Sequence, residues 1–272
     1  DGVMCTLGDG FSAAVFAEVP APRCKVLANF GVGFNHIDVE AAQAAGVIVT
    51  NTPGAVTDAT ADIAMTLMLM SARRAAEGER LVRSGAWEGW HPTQMLGLHL
   101  TGKTVGIVGM GRIGQAIARR CHFGFGMPVH YFGRKAKELD FNAVFHGDLS
   151  EMAGVVDILV ISVASTPDTR HIINAKVLEA MQPHARLINI ARGDVVDEAA
   201  LVKVLQEGRI GGAGLDVYEF EPDVPQTLRD LDNVVLLPHL GTSTQEVRVD
   251  MGHMVVENLQ AALRGDAPPN VV

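Results

Sequence analysis

Cysteine is scarce in this 272-residue chain, where Cys5, Cys24 and Cys121 are the only three. An odd, scattered set without a C-x-x-C pair excludes a disulfide framework and a zinc knuckle. The ten histidines show no H-E-x-x-H or comparable ligand spacing, so no metal site is expected. Long apolar runs are missing too. The longest, residues 63–70, falls well short of the about 20 residues that span a bilayer, so no membrane attachment is expected. No basic amino-terminal segment leads into an apolar stretch, which argues against secretion and for a cytoplasmic protein. Positive charge is in deficit, with 22 basic against 31 acidic residues and a net charge of −9. That balance argues against a nucleic-acid partner, while leaving room for a local basic pocket. What the chain does have is apolar side chains, 48% of the total against 19% charged, enough for a sizeable core and against disorder. The length suits one large domain or two ordinary ones.

Short β-branched runs alternate with stretches of helical apolar spacing. Strands are expected near residues 2–7, 25–29, 47–51, 104–108, 128–132, 158–163, 186–190, 212–217 and 233–236. Helices are expected near 38–45, 112–122, 175–181, 198–207 and 244–263. Near-continuous apolar strands separated by helices indicate a parallel sheet covered on both faces, an α/β fold. One long helix is expected over 57–83, with an apolar face through Ile63, Leu67, Met70 and Leu81. It follows the turn cluster Asn51-Thr52-Pro53-Gly54, and a second joint falls at Leu237–Gly241. The expected division is therefore residues 1–55 and 241–272 as one smaller domain, with 56–240 as a larger one between them.

Gly109-Met110-Gly111-Arg112-Ile113-Gly114 is a G-x-G-x-x-G turn that leaves one expected strand and opens one expected helix. In that setting the first glycine permits the tight turn and the second lets the backbone approach a pyrophosphate. The third lets helix and strand pack closely, and the helix N-terminus faces the anion. NAD enzymes of this architecture usually carry an acidic residue about 20 positions further on, for the ribose 2′-hydroxyl. Here that place holds Gly133-Arg134-Lys135. A carboxylate would repel a 2′-phosphate, whereas an arginine can pair it, so NADP(H) is the preferred cofactor and NAD(H) the other option. The same two cations would also suit a plain exposed basic turn.

Three further segments stand at the carboxyl ends of expected strands, where open α/β sheets place their ligands. They are Asn189-Ile190-Ala191-Arg192-Gly193-Asp194, then Leu215-Asp216-Val217-Tyr218-Glu219-Phe220-Glu221-Pro222, then Leu237-Pro238-His239-Leu240-Gly241. Together with Gly109–Gly114, in this order and across nearly the whole chain, they resemble the D-isomer-specific 2-hydroxyacid dehydrogenase family. Within it the chain is most similar to the glyoxylate/hydroxypyruvate reductases, through Trp87-Glu88-Gly89-Trp90-His91-Pro92 and the Gly133-Arg134 pair. The resemblance implies a Rossmann-type doubly wound domain beside a smaller flavodoxin-like α/β substrate domain.

The resemblance also implies roles. Arg192 matches the arginine that grips the substrate carboxylate and polarises its keto oxygen, a task that suits a planar guanidinium fork. His239 matches the general acid that protonates that oxygen, and Glu221 the carboxylate that orients the imidazole. Backbone N–H groups matching Val32 and Gly33 would hold the substrate carboxylate, in a loop where Asp38 equally reads as a helix N-cap. Trp90 matches a tryptophan reaching the substrate pocket from a partner subunit, or else an interface or core anchor. Cofactor contacts would come from Thr60, Gly109, Gly111, Arg112, Ile113, Gly114, Gly133, Arg134, Lys135, Ala164, Ile190, Ala191, Asp216, His239 and Gly241. Asp216 fits either a group near the nicotinamide amide or a helix cap or turn. The expected assembly is a homodimer acting on a small 2-oxo acid.

Two departures from the family pattern stand out. The family's substrate domain starts further upstream, so its amino-terminal part is expected to be missing here. The stretch Cys121–Gly126 is also one residue longer than usual before the next strand. The expected activity is reduction of glyoxylate or hydroxypyruvate to glycolate or D-glycerate. The alternatives are the same chemistry on another 2-oxo acid such as 2-keto-gluconate, or a dinucleotide-sensing protein without catalysis.

Overall fold

Valine- and isoleucine-rich strands alternate with helices throughout a computed structural model that describes all of residues 1–272. The chain forms two compact units, residues 1–59 with 242–272, and residues 60–241. In chain order the first contains β1 (Gly2–Cys5), α1 (Ala13–Glu18), β2 (Val26–Asn29), α2 (Val39–Ala44) and β3 (Ile48–Thr50). Its three strands pair in parallel in the order β1-β2-β3. Asp38 caps α2 by accepting the Ala41 amide at 2.9 Å.

Two helices follow, α3 (Thr57–Arg73) and α4 (Ala75–Arg83), where the apolar spacing predicts one continuous helix. Arg74 breaks the pair with a left-handed φ of 55°. The cause lies elsewhere in the chain: Leu98 N–H donates to the Ala72 carbonyl at 2.7 Å, the acceptor that an uninterrupted helix would use itself.

The second unit continues with β4 (Val105–Val108), α5 (Arg112–Arg119), β5 (Val129–Phe132), β6 (Ala143–His146), α6 (Leu149–Ala153) and β7 (Ile158–Ile161). Then come α7 (Ala175–Ala180), β8 (Arg186–Asn189), α8 (Glu198–Gln206), β9 (Gly212–Leu215), α9 (Gln226–Arg229) and β10 (Val234–Leu236). All seven strands are parallel in the order β10-β9-β8-β7-β4-β5-β6. The order reverses between β4 and β7, so this is a doubly wound Rossmann sheet with its switch point there. Every residue of β4, β7, β8's last three and β9 is buried. Alternation divides them between faces: Ile158 and Val160 pack with α3 and α5, while Leu159 and Ile161 pack with α6, α7 and α8.

Between α5 and β5 the helix widens into a π-turn, Arg120–Gly124. A π-turn is the form in which a helix takes up one additional residue. The edge strand β6 was not among the expected strands. Its four residues are half-buried or exposed, so no burial pattern marks it. The last helix, α10 (Gln245–Arg264), packs on β1, β2 and β3 of the first unit. Its buried Asn258 ties the Asn51 carbonyl and the Asn270 amide at 3.3 and 3.2 Å.

Candidate active site

The turn after β4 has the form a pyrophosphate requires. Gly109 has φ +96°, and a Cβ there would stand 2.6 Å from Val163 Cγ1. A Cβ on Gly114 would overlap the Gly109 carbonyl, so α5 can lie this close to the strand only with glycine. Around Gly111, the residue that starts α5, an added Cβ would meet nothing within 4 Å. Backbone at a helix N-terminus with open ground over it is a ready anion site. Ser162, just past β7, pins the turn by donating its hydroxyl to the Gly109 carbonyl at 2.7 Å. Arg112 is exposed and Ile113 half-buried on α5.

Gly133, Arg134 and Lys135 follow β5, and both cationic side chains are exposed. The turn is held by Tyr131, whose hydroxyl accepts the Lys137 amide at 2.9 Å. Ala164 is exposed after β7, and its carbonyl accepts the Thr169 hydroxyl at 2.7 Å. Ile190 and Ala191 are buried after β8. Thr60 donates its hydroxyl to the Gly241 carbonyl at 3.2 Å.

Arg192, Glu221 and His239 follow three adjacent strands, β8, β9 and β10. Asn189 shapes the first loop, accepting the Ala191 amide at 3.0 Å and donating to the Arg192 carbonyl at 2.9 Å. Arg192 itself donates from Nη1 to the Ala191 carbonyl at 2.7 Å. Burial lowers its pKa, against the raising effect of the Glu221 and Asp194 charges. Gly193 comes next, and a Cβ on it would overlap the backbone of Tyr218 and Glu219. The arginine loop and the glutamate loop therefore touch backbone to backbone.

His239 Nδ1 donates to Glu221 Oε2 at 2.9 Å. Glu221 Oε1 accepts the Tyr218 amide at 3.0 Å. Burial pushes the Glu221 carboxyl up, but the bonds from His239 and Tyr218 and the charges of His239 and Arg192 outweigh it. The net result is a carboxyl below its ordinary range, hence ionised. An ionised acceptor at Nδ1 fixes the ring's tautomer and leaves Nε2 outside this pair.

Asp216, 1% exposed, answers the open question about its role in part. Its Oδ1 accepts the Leu240 amide at 2.7 Å and its Oδ2 the Gly241 amide at 2.8 Å. Its main-chain oxygen accepts the His239 amide at 2.9 Å. Three consecutive amides of the histidine loop are thus bound to one residue, and His239 sits there with φ 55°. Burial raises the Asp216 carboxyl pKa despite these bonds.

Several participants were not singled out from sequence. Tyr218 bonds its hydroxyl to the Leu237 carbonyl at 2.9 Å, joining the glutamate and histidine loops. Glu219 accepts from Arg170 and His171 at 3.0 and 2.8 Å, and its amide donates to the buried Glu198 at 3.2 Å. Asn189 lies inside a quoted motif, but nothing in the letters distinguishes a loop-shaping asparagine from any other.

In the first unit, the loop after β2 is held from one side. Asn29 donates to the carbonyls of Gly31 and Gly33, each at 2.9 Å, and Asn51 donates to that of Val32 at 3.0 Å. In planar trans peptides the N–H points opposite the C=O, so the Val32 amide faces away from Asn29 and the Gly33 amide away from Asn51. Trp90, between α4 and β4, is 78% exposed.

This geometry has close parallels. Residues 65–241 match the family described as D-isomer specific 2-hydroxyacid dehydrogenase, NAD binding domain. A glyoxylate reductase of Thermococcus onnurineus is 47% identical over 279 residues, spanning 100% of this chain and 82% of that protein. One from Pyrococcus furiosus is 46% identical with the same coverage. Among solved structures, an NADPH-dependent glyoxylate/hydroxypyruvate reductase from Sinorhizobium meliloti, in complex with NADP and malonate, superposes with a TM-score of 0.91 at 41% identity. It is matched over 100% of this chain and 83% of its own. With the open glycine turn, the doubly wound sheet and the loops after β8, β9 and β10 all inside the matched residues 65–241, the chain belongs to the D-isomer specific 2-hydroxyacid dehydrogenase family, NAD(P)-dependent oxidoreductases.

Proposed function

We infer that this chain reduces glyoxylate, and hydroxypyruvate beside it, to the 2-hydroxy acid, with NADPH as the preferred reductant. The observation that carries the reading is the His239–Glu221 pair at 2.9 Å, set beside Arg192 by the contact at Gly193. When bound, the reduced nicotinamide dinucleotide supplies a hydride to the keto carbon. Gly109, Gly111, Gly114 and the start of α5 would hold its pyrophosphate. Thr60, Ala164, Ile190, Ala191, Asp216 and Gly241 complete the proposed cofactor contacts.

The chain's own groups do the rest. Arg192 binds the substrate carboxylate and draws electron density toward the keto oxygen, a bidentate task for a guanidinium. His239 delivers a proton from Nε2 to that oxygen, and Glu221 stabilises the imidazolium before the transfer. A positioned acid of this kind contributes about 10²–10⁴-fold. The Val32 and Gly33 amides are proposed as carboxylate donors on the strength of their loop alone. Exposed Val82, Trp87 and Trp90 support a homodimer in which a second copy covers these apolar side chains. A small-molecule substrate and a cytoplasmic site belong to the same reading.

The cofactor preference rests on Arg134 and Lys135, exposed cations beside the end of β5 where NAD enzymes carry an acid. The test is oxidation of NADPH and of NADH in turn, with glyoxylate and with hydroxypyruvate, in wild type and Arg134→Glu. NADPH should lead in wild type. Arg134→Glu should lower its kcat/KM about tenfold or more while sparing NADH, the loss expected for one charge-assisted contact. Equal use of both cofactors by wild type would remove the preference.

A further inference from the structure

The strands that carry Arg192, Glu221 and His239 beyond their carboxyl ends also meet at their amino ends. Arg186 opens β8, Gly211 precedes β9, and Asn233 precedes β10. Beside them is a cavity of about 300 Å³, bounded on its other side by Ser71 of α3, by Arg74 and by Glu77 of α4. That volume is at the lower end of small-molecule sites. About 10 Å of strand separates Arg186 from Asn189, at the rise of a parallel strand.

Two cations, Arg74 and Arg186, and two carboxylates, Glu77 and Asp232, line this cavity. Arg74 is satisfied by a bidentate pair with Glu77, at 2.9 and 2.7 Å. Asp232, 79% exposed at the rim, is taken by Arg80 at 2.9 Å. Arg186 has no such partner. Its Nη1 reaches only the His184 carbonyl at 3.4 Å, and its Nε is buried without a hydrogen bond. Burial and the neighbouring Arg74 charge both lower its pKa, the sign of a cation held at a penalty. Ser71 is 6% exposed, and its hydroxyl is also buried without a partner. Space for the guanidinium comes from Gly211, where a Cβ would overlap Nη1. Two buried donors without partners, one of them charged, therefore belong to side chains that line one cavity.

The geometry points to a second binding site in this cavity, for a small organic molecule bearing an oxyanion, carboxylate or phosphate, received by the Arg186 guanidinium with Ser71 beside it in the lining. It is separate from the catalytic loops and shares with them only the strands in between. A guanidinium fork matches either oxyanion, and the anion removes the penalty of the buried charge.

Calorimetric titration with succinate and with inorganic phosphate tests the site, on the full chain as wild type, Arg186→Gln, Ser71→Ala and Arg192→Gln. Wild type should bind at least one anion. Arg186→Gln should weaken that binding by about tenfold or more. Ser71→Ala, a smaller change, should weaken it less and guards against a misfolded arginine variant. Arg192→Gln should retain the binding, which separates this cavity from the substrate's own carboxylate grip, and Arg186→Gln should keep kcat/KM for glyoxylate. Preference for succinate assigns a carboxylate ligand, and preference for phosphate a phosphorylated one. The proposal is overturned if wild type binds neither anion, or if Arg186→Gln and Ser71→Ala bind as wild type does. It is equally overturned if Arg186→Gln changes only the oligomeric state, which would give the arginine to a second copy's carboxylate.

Discussion

Replacing Asp216 by asparagine changes almost no volume and tests how the histidine loop is held. The carboxylate accepts two amides, from Leu240 at 2.7 Å and Gly241 at 2.8 Å, on separate oxygens. Asparagine offers one acceptor, and its NH₂ must face the other amide. One buried N–H then loses its partner, at about 1–3 kcal/mol, and the surviving bond loses its charge assistance. Opposing this is relief of a buried carboxylate whose pKa is raised by desolvation. That relief is limited, because the two amides already offset part of the desolvation, whereas asparagine sets an NH₂ against a buried N–H, so we expect a net loss of about 1–3 kcal/mol. For a chain of this size that corresponds to roughly 2–10 °C in Tm. The left-handed conformation of His239, φ 55°, costs about 1–3 kcal/mol by itself and persists because the surroundings impose it. With one tether gone, the loop can relax and carry the imidazole away from its bond to Glu221. A displacement near 1 Å lowers kcat by about 10²-fold. Melting curves, glyoxylate kinetics and cofactor titration, run on one preparation, read all three quantities. A variant with Tm within about 1 °C of wild type and kcat within about threefold would refute the argument. A change confined to cofactor affinity would instead assign Asp216 to the nicotinamide amide.

Two further outcomes follow from the same loops. Gly193→Ala places a methyl into the Tyr218–Glu219 backbone, which cannot yield as a side chain would. It should cost about 1–3 kcal/mol and about tenfold or more in kcat; wild-type melting together with wild-type turnover would show that this contact does not align Arg192 with Glu221. Glu221 has a folded-state pKa below its ordinary 4.5, so its contribution to stability is full above the unfolded value and lost as pH falls through the folded one. Denaturant titrations from about pH 6 down to about pH 3 should therefore show wild type losing more stability than Glu221→Gln, and identical acid slopes would contradict the lowered pKa. Asp216 has the opposite sign, since its raised pKa favours the fold at low pH, and because the Glu221 charge is a minor cause of that rise it cancels only in part.

How much of this could be read from the letters depends on the range of the forces involved. The β4 turn was legible because Gly109, Gly111 and Gly114 each meet a local requirement, two of them steric and one the open approach. Buried strands such as β7, Ile-Leu-Val-Ile, announce themselves by composition. The break at Arg74 was not legible, because Ile63, Leu67, Met70 and Leu81 keep the helical period across it. Its cause is a bond from Leu98, distant in sequence. Nothing in the letters of Cys121–Gly126 marks the π-turn that the helix forms there. Strand β6 lies at a sheet edge with little burial to pattern it. Within the catalytic loops, Arg192, Glu221 and His239 stood out through a resemblance. The positions that set their geometry, Asn189, Gly193 and Tyr218, act through backbone contacts that no motif records.

The most direct test of the central claim is the proton itself, supplied by His239. Asparagine at this position tolerates the left-handed backbone but has no proton to give, so His239→Asn removes the acid and spares the loop. Glyoxylate reduction by this variant should fall by about 10²–10⁴-fold in kcat, with reduced-cofactor affinity and Tm near those of wild type. Turnover within about tenfold of wild type, with the loop intact, would contradict the assignment of His239 as the general acid.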